Sequence, residues 1–348
     1  MSMKRPSRRG FAIREMVALS SVAFVGVCLL APMAARGAAQ SNLQVCMARL
    51  KEISKLSGLF AGDYQGRIAN LRGFTGMSSF HSLPNRVYQD NSGDDQASTA
   101  DHAVDIIRTL GGREDLERIV SWVPQSSYFH LALAEYARLP LPSVDFACPE
   151  DANLLAWQSD PRNYNNLGVP APVAPGALDN PGKRWPYSSS YVAPTATWTN
   201  DLHSPTRLAW YFNGPLSLVA QGGHTAGQTD LGHRRFDQVA FPSSKVQLHD
   251  RGARHFTPRA VYWGFADTKQ PVLFFDGVVR TVRTGNAYLG WDPLSPDRNI
   301  PYSYSVDFTP SLFQWHPGRP EGETRGQLLF DAARWALTRD GLAGRDFP

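Results

Sequence analysis

The dominant pattern in the chain is a charge-free apolar run over residues 16–35, interrupted mainly by Ser20, Ser21, Gly26 and Pro32. Its twenty residues at helical rise span roughly 30 Å, the thickness of a bilayer's hydrocarbon core. Lys4, Arg5, Arg8 and Arg9 precede it; such cations stay cytoplasmic, so the chain beyond the run faces outward. A cleaved export signal has the same hydropathy. Past the run, Leu43, Cys46, Met47, Leu50, Ile53 and Leu56 recur at three- and four-residue spacings. The helix is therefore expected to continue to about Leu56, some 70 Å from Phe11 and bent near Pro32. Its apolar stripe needs a partner, and a sheet in the more C-terminal part of the chain is the obvious one.

The periodicity then breaks. Gly62-Asp63-Tyr64-Gln65-Gly66 reads as a turn and Ser92-Gly93-Asp94-Asp95 as an exposed loop. Helices are expected over residues 98–110, with Ser98 and Thr99 as caps, over 114–123, stopping before Pro124, and over 126–139, stopping before Pro140. Strands are expected over 208–212, 217–220, 246–249, 260–265, 272–275 and 278–282. The last two flank Asp276-Gly277, which predicts a type I′ hairpin. A final helix is expected over 326–339, burying Leu329, Ala332, Trp335 and Ala336.

Composition narrows the classes. With 348 residues, 42% hydrophobic and 19% charged, the chain is that of a globular protein with room for more than one domain. The four leader cations account for the whole net charge of +4, so from Phe11 onward the chain is neutral and no nucleic-acid face is indicated. Of three cysteines, Cys28 falls in the apolar run. Cys46 and Cys148 lie beyond it, where they could pair as a disulfide in an oxidising compartment or remain buried thiols.

Several of these residues carry a resemblance. Arg8-Arg9-Gly10-Phe11, then Glu15, then an apolar helix, resembles the leader of type IV pilins and general-secretion pseudopilins. The resemblance implies cleavage between Gly10 and Phe11 by a prepilin peptidase and methylation of Phe11. It also implies that Glu15, a carboxylate otherwise costly at a membrane edge, pairs with a neighbouring subunit's amine. Pro32 lies where many type IV pilins carry a helix-bending proline. The segment Cys46 to Ile53 is similar to one found in pilin-like proteins with large extracytoplasmic heads, with Arg49 standing at a usual Asn; in the leader, Arg14 stands at a usual aliphatic. Cys148-Pro149-Glu150-Asp151, Ser190-Tyr191 and Arg254-His255 before Asp276-Gly277 resemble head elements of the same proteins. Twenty residues separate His255 from Asp276, a longer excursion than is common there. Ser7-Arg8-Arg9-Gly10-Phe11 equally fits a twin-arginine export signal, with Gly37-Ala38-Ala39 as its cleavage site.

No enzyme signature accompanies these features. Nine histidines, among them His224, His233, His249 and His255, show no spacing that forces convergence, and no Cys-x-x-Cys predicts zinc. Asp250, Asp267, Asp276 and Asp297 lack EF-hand spacing. There is no Gly-x-Ser-x-Gly elbow, and Gly222-Gly223-His224-Thr225 resembles no phosphate loop.

The expectation is an α+β protein: a long N-terminal transmembrane helix packed on an antiparallel, pilin-like β-sheet head with helical and loop insertions. Its parts are a leader (1–10), a transmembrane and amphipathic helix (11–60), a helical insertion region (61–140) and a β-rich extracytoplasmic head (141–348). The resemblance implies a non-enzymatic subunit of a type II secretion or type IV pilus-like assembly. It would sit in the inner membrane as a single pass and need no cofactor or metal. Its partners would be prepilin peptidase and other pilin-like subunits, not nucleic acid. The alternative is an exported enzyme or carbohydrate-binding protein.

Overall fold

The computed structural model describes residues 40–72, 79–83, 86–89, 95–119, 122–173, 175–199, 209–213, 217–221, 231–257, 260–290, 303–306 and 329–348. The leader, the apolar run, Cys28, His224 and Asp297 lie outside them. The chain divides into two units, Met1–Gln44 and Val45–Pro348. Among the described residues no helix is long and apolar enough to cross a membrane.

The protein is α+β with antiparallel sheets. The first helix, α1, covers residues 40–63. In the larger unit its buried positions are Cys46, Leu50, Ile53, Ser57 and Phe60, a single stripe at spacings of four and three. It runs beyond Leu56, through Gly58, because the stripe continues to Phe60. It ends where Gln65 and Gly66 turn left-handed (φ 57° and 76°) and the Gly66 N–H bonds the Ala61 carbonyl at 2.7 Å. Next come β1 (Ser79–Leu83) and β2 (Arg86–Gln89), an antiparallel pair, then α2 (Asp95–Gly111), α3 (Gln125–Tyr128), α4 (His130–Ala137) and α5 (Ala152–Ser159).

The remaining strands are β3 (Tyr191–Val192), β4 (Ala209–Asn213), β5 (Ser217–Gln221), β6 (Val246–Asp250), β7 (Gly252–Ala253), β8 (Val261–Tyr262), β9 (Lys269–Phe274), β10 (Val279–Arg283), β11 (Ser303–Val306) and β12 (Leu329–Ala332). The central sheet is antiparallel in the order β10-β9-β6-β3; β4-β5, β7-β8 and β11-β12 form two-stranded pairs. Both faces of the central sheet are covered, which is why β6 is buried throughout. A bulge between Val246 and Leu248 turns these two residues to opposite faces. Leu248 and Leu273 pack with Cys46, Leu50, Ile53 and Phe60 of α1. Val246, Val272 and Phe274 pack with Tyr262, Trp263 and Trp335 on the other side. A second core joins α2 to α4 through Ala103, Ile106, Ile107 and Leu131, and the buried His102 and Glu135 side chains meet there at 3.1 Å.

Three expectations change. Residues 114–119 are not helical, because their backbone groups are bonded by side chains from elsewhere. Asn180 takes the N–H and carbonyl of Glu117, and Arg108 the carbonyl of Leu116. The periodic segment 329–339 is not one helix: Leu329–Ala332 pairs with β11, and Arg334 at φ 45° opens a 3-10 turn, Arg334–Leu337. The Asp276-Gly277 hairpin exists, but its loop has three residues. The Gly277 N–H bonds the Phe274 carbonyl, and the Phe274 N–H bonds the Val278 carbonyl, both at 3.0 Å. Only Gly277 has positive φ, 78°, the pattern of a type I turn closed by a left-handed glycine.

Candidate functional site

Where α1 crosses the end of the sheet, the chain segments at Cys46, Cys148, Ser190 and Arg254 come together. Cys148-Pro149-Glu150-Asp151 is a turn, with the Asp151 N–H on the Cys148 carbonyl at 2.9 Å; proline at the second position presets it. Asp151 then caps α5, accepting from the Leu154 N–H at 3.3 Å. Its other oxygen accepts from Ser190 Oγ and from Arg254 Nη2, each at 2.8 Å. Ser190 Oγ in turn accepts the Cys148 N–H at 2.9 Å. Thus the Cys-Pro-x-Asp turn, the Ser-Tyr pair on β3 and Arg254 form one network.

Asp250 closes it. Placed opposite Tyr191 in the β3–β6 register, it accepts through Oδ1 from the Gly252 N–H at 3.0 Å and from Arg254 Nη1. Its Oδ2 is buried with no hydrogen-bond partner among the described residues. His255 places Nε2 3.3 Å from Cys148 Sγ. Its Nδ1 lies 3.4 Å from Glu150 Oε2, an ion-pair distance without hydrogen-bond alignment. Tyr191 Oη lies 3.4 Å from Cys46 Sγ. Arg49 donates to the Ala147 carbonyl at 2.6 Å and so ties α1 to the Cys148 turn.

The centre is dry: Cys46, Cys148 and Asp250 are 0% exposed. Both cysteines are free thiols. The sulfurs, an Asp250 oxygen and a His255 nitrogen all lie within 4.8 Å of one another. Hydrogen bonding to Cys46, burial and the Asp250 charge push the Cys148 thiol far up, against a smaller opposing pull from His255. Burial, with the two sulfurs, raises Tyr191 well above the usual phenol range. Burial opposes protonation of His255, but Cys148, Asp250 and Glu150 outweigh it and raise the imidazole. Burial would likewise raise Asp151, yet Arg254 and Arg251 hold it below the usual carboxylate range.

Cys148, His255 and Glu150 are thus in line as a thiol, a base and an acid, the order of a nucleophilic triad. The geometry does not bring the chemistry with it. The sulfur has no exposure, and the thiolate that would attack is disfavoured. Four ligating groups converging in a closed, desolvated centre can instead hold a metal.

Of the residues singled out from sequence, Cys46 and Cys148 are brought together here. Gly10, Phe11, Glu15 and Pro32 lie outside the described residues. Asp250, His255, Ser190, Tyr191 and Arg254 join through the fold. Only the resemblance segments signalled several of them, and no spacing linked Asp250 to either cysteine. No family model matches the chain, and neither a curated protein nor a solved structure matches it.

Proposed function

We propose that this chain is a membrane-anchored, pilin-like structural subunit of a type II secretion or type IV pilus-like assembly. The observation that carries the reading is the junction of α1 with the head. Its stripe, Cys46 to Phe60, packs on Leu248, Leu273 and Tyr191 of an antiparallel sheet. The four segments that resemble pilin-like proteins, around Cys46, Cys148, Ser190 and Arg254, meet at that junction. In this reading prepilin peptidase cuts between Gly10 and Phe11, residues 16–35 cross the inner membrane, and the head stands outside it. The N-terminal helix then bundles with those of other subunits. A charge at Glu15 has a use in such a bundle and none in a plain anchor.

Sequencing the N-terminus of the mature protein tests this. Methylated Phe11 is the expected result. A mature chain starting near Gln40 would overturn it in favour of an export signal and a released passenger.

A further inference from the structure

Cys46 comes from α1, Cys148 from the Cys-Pro turn, Asp250 from the end of β6 and His255 from the turn after β7. From this geometry we infer that the four form a buried tetrahedral site for a divalent transition metal, zinc foremost, which staples the N-terminal helix to the head. The inference does not rest on the pilin reading.

Two sulfurs, an imidazole nitrogen and a carboxylate oxygen are a donor set that zinc takes. With metal–sulfur bonds of about 2.3 Å and metal–nitrogen bonds of about 2.0 Å, neighbouring ligand atoms in a tetrahedron lie roughly 3.3–3.8 Å apart. Cys148 Sγ and His255 Nε2 are already 3.3 Å apart, and no pair of ligand atoms exceeds 4.8 Å. A contraction of about 1 Å in the widest pair seats the ion.

The surroundings are those of ligands. Asp250 spends Oδ1 on Gly252 and Arg254 and, among the described residues, leaves Oδ2 buried without a partner, a costly arrangement unless a cation meets it. His255 turns Nε2 to the sulfur and sets Nδ1 3.4 Å from Glu150 without a hydrogen bond; a small turn of the ring would complete the carboxylate–histidine–metal order that orients ligating imidazoles. Tyr191 offers its hydroxyl to Cys46 Sγ.

Charge balance agrees. The buried charged groups beside the site, Asp151, Asp250, Arg251 and Arg254, cancel among themselves, and the partly exposed Glu150 and Arg49 on its rim are of opposite sign. Two neutral thiols preserve that balance. So does a dication with two thiolates, both thiol protons leaving to solvent. A single thiolate does not. A Cys46–Cys148 disulfide would also be neutral, but it gives the buried Asp250 Oδ2 no partner and takes the thiol from His255 Nε2. With four protein ligands and no exposure, the site has no open position, so its role is structural.

The full-length chain, extracted in detergent and purified anaerobically without chelator, should carry one zinc by elemental analysis. After metal removal, Co2+ should saturate at one equivalent. It should give a thiolate-to-cobalt charge-transfer band and the intense visible bands of tetrahedral cobalt, and it should protect both thiols from alkylation. Asp250→Asn keeps the shape of the side chain and should weaken cobalt binding by at least about tenfold, the lower bound for loss of even an outer-shell partner. If that variant does not fold, the wild-type cobalt spectrum still decides. Absence of stoichiometric metal together with absence of a cobalt–sulfur band would overturn the site. So would a Cys46–Cys148 disulfide as the principal form of protein taken from its own compartment.

Discussion

Arg254 and Asp151 stand 103 positions apart in the chain and meet at 2.8 Å in the dry interior. The other arm of the same guanidinium holds Asp250. The fork of Arg254 therefore bonds one oxygen of each of two carboxylates from different segments, a task suited to its planar, multiply donating head. Truncating it deprives two buried carboxylates of the cation they share, with Arg251 the remaining buried cation near them. Arg254→Ala should cost about 3–5 kcal/mol, as for other broken buried pairs. Arg254→Lys should recover little of it, since one ammonium cannot span both acids. Urea unfolding of the two variants measures this, and a loss under about 1 kcal/mol in Arg254→Ala would refute the bridge, because surface pairs already reach that value.

The turn glycine between β9 and β10 gives a second test. Gly277 has φ 78°, and an added Cβ would lie 3.3 Å from Ser54 Oγ on α1. A β-branched side chain is strained in that conformation and here also presses on the helix. Gly277→Val should destabilise the protein by about 1–3 kcal/mol. An unchanged melting temperature would mean that the loop adopts another conformation in solution.

His130 sets a pH dependence. It sits among Phe129, Phe146 and Tyr128, with ring centroids 4.7 Å from Phe146. Burial lowers its pKa to about 3, against a smaller upward pull from a backbone bond to Tyr187. The unfolded chain, with an ordinary value near 6.5, binds a proton there that the folded chain refuses. Stability from this residue is therefore complete above about pH 6.5 and falls on acidification towards pH 3, by about 1.4 kcal/mol per pH unit. In His130→Leu the dependence of unfolding free energy on pH should flatten by that amount across the window. Parallel pH profiles for the two proteins would show that His130 titrates normally.

How far the chain can be read without its structure depends on where the information lies. The stripe of α1 and the β9–β10 turn are local: Leu50, Ile53 and Gly277 carry their signals within a few residues. Residues 114–119 mislead because Leu116 and Ile119 are buried at helical spacing, while Asn180, more than sixty positions on, takes the backbone groups a helix would use. Leu329 and Ala332 mislead in the same way, their spacing fitting a helix while β11 claims their backbone. The site is the least local feature. Cys46, Cys148 and Asp250 are about a hundred residues apart in sequence, so no motif spacing contains them, and only folding brings their ligand atoms within 4.8 Å. The segments noted for their resemblance, around Cys46, Cys148, Ser190 and Arg254, meet at this site.

The last prediction concerns Glu15 and separates an assembling subunit from an anchored monomer. A carboxylate at the edge of an apolar run is costly in lipid, and a neighbour's new N-terminal amine at Phe11 would neutralise it only when the incoming helix docks at the right height. The pair then acts as a register device rather than as a source of raw stability. Glu15→Ala removes the acid and makes the run more apolar, so insertion should be normal or better. On the proposed reading cleavage after Gly10 should continue, because that cut would depend on a small residue there that lets the peptidase approach the backbone; Gly10→Val, by contrast, should leave full-length precursor. Assembly is what should fail. In-membrane crosslinking should show monomer for Glu15→Ala where the wild type gives a ladder. A wild-type ladder from the Glu15→Ala protein would remove the filament reading and leave an exported passenger on a simple anchor as the better account.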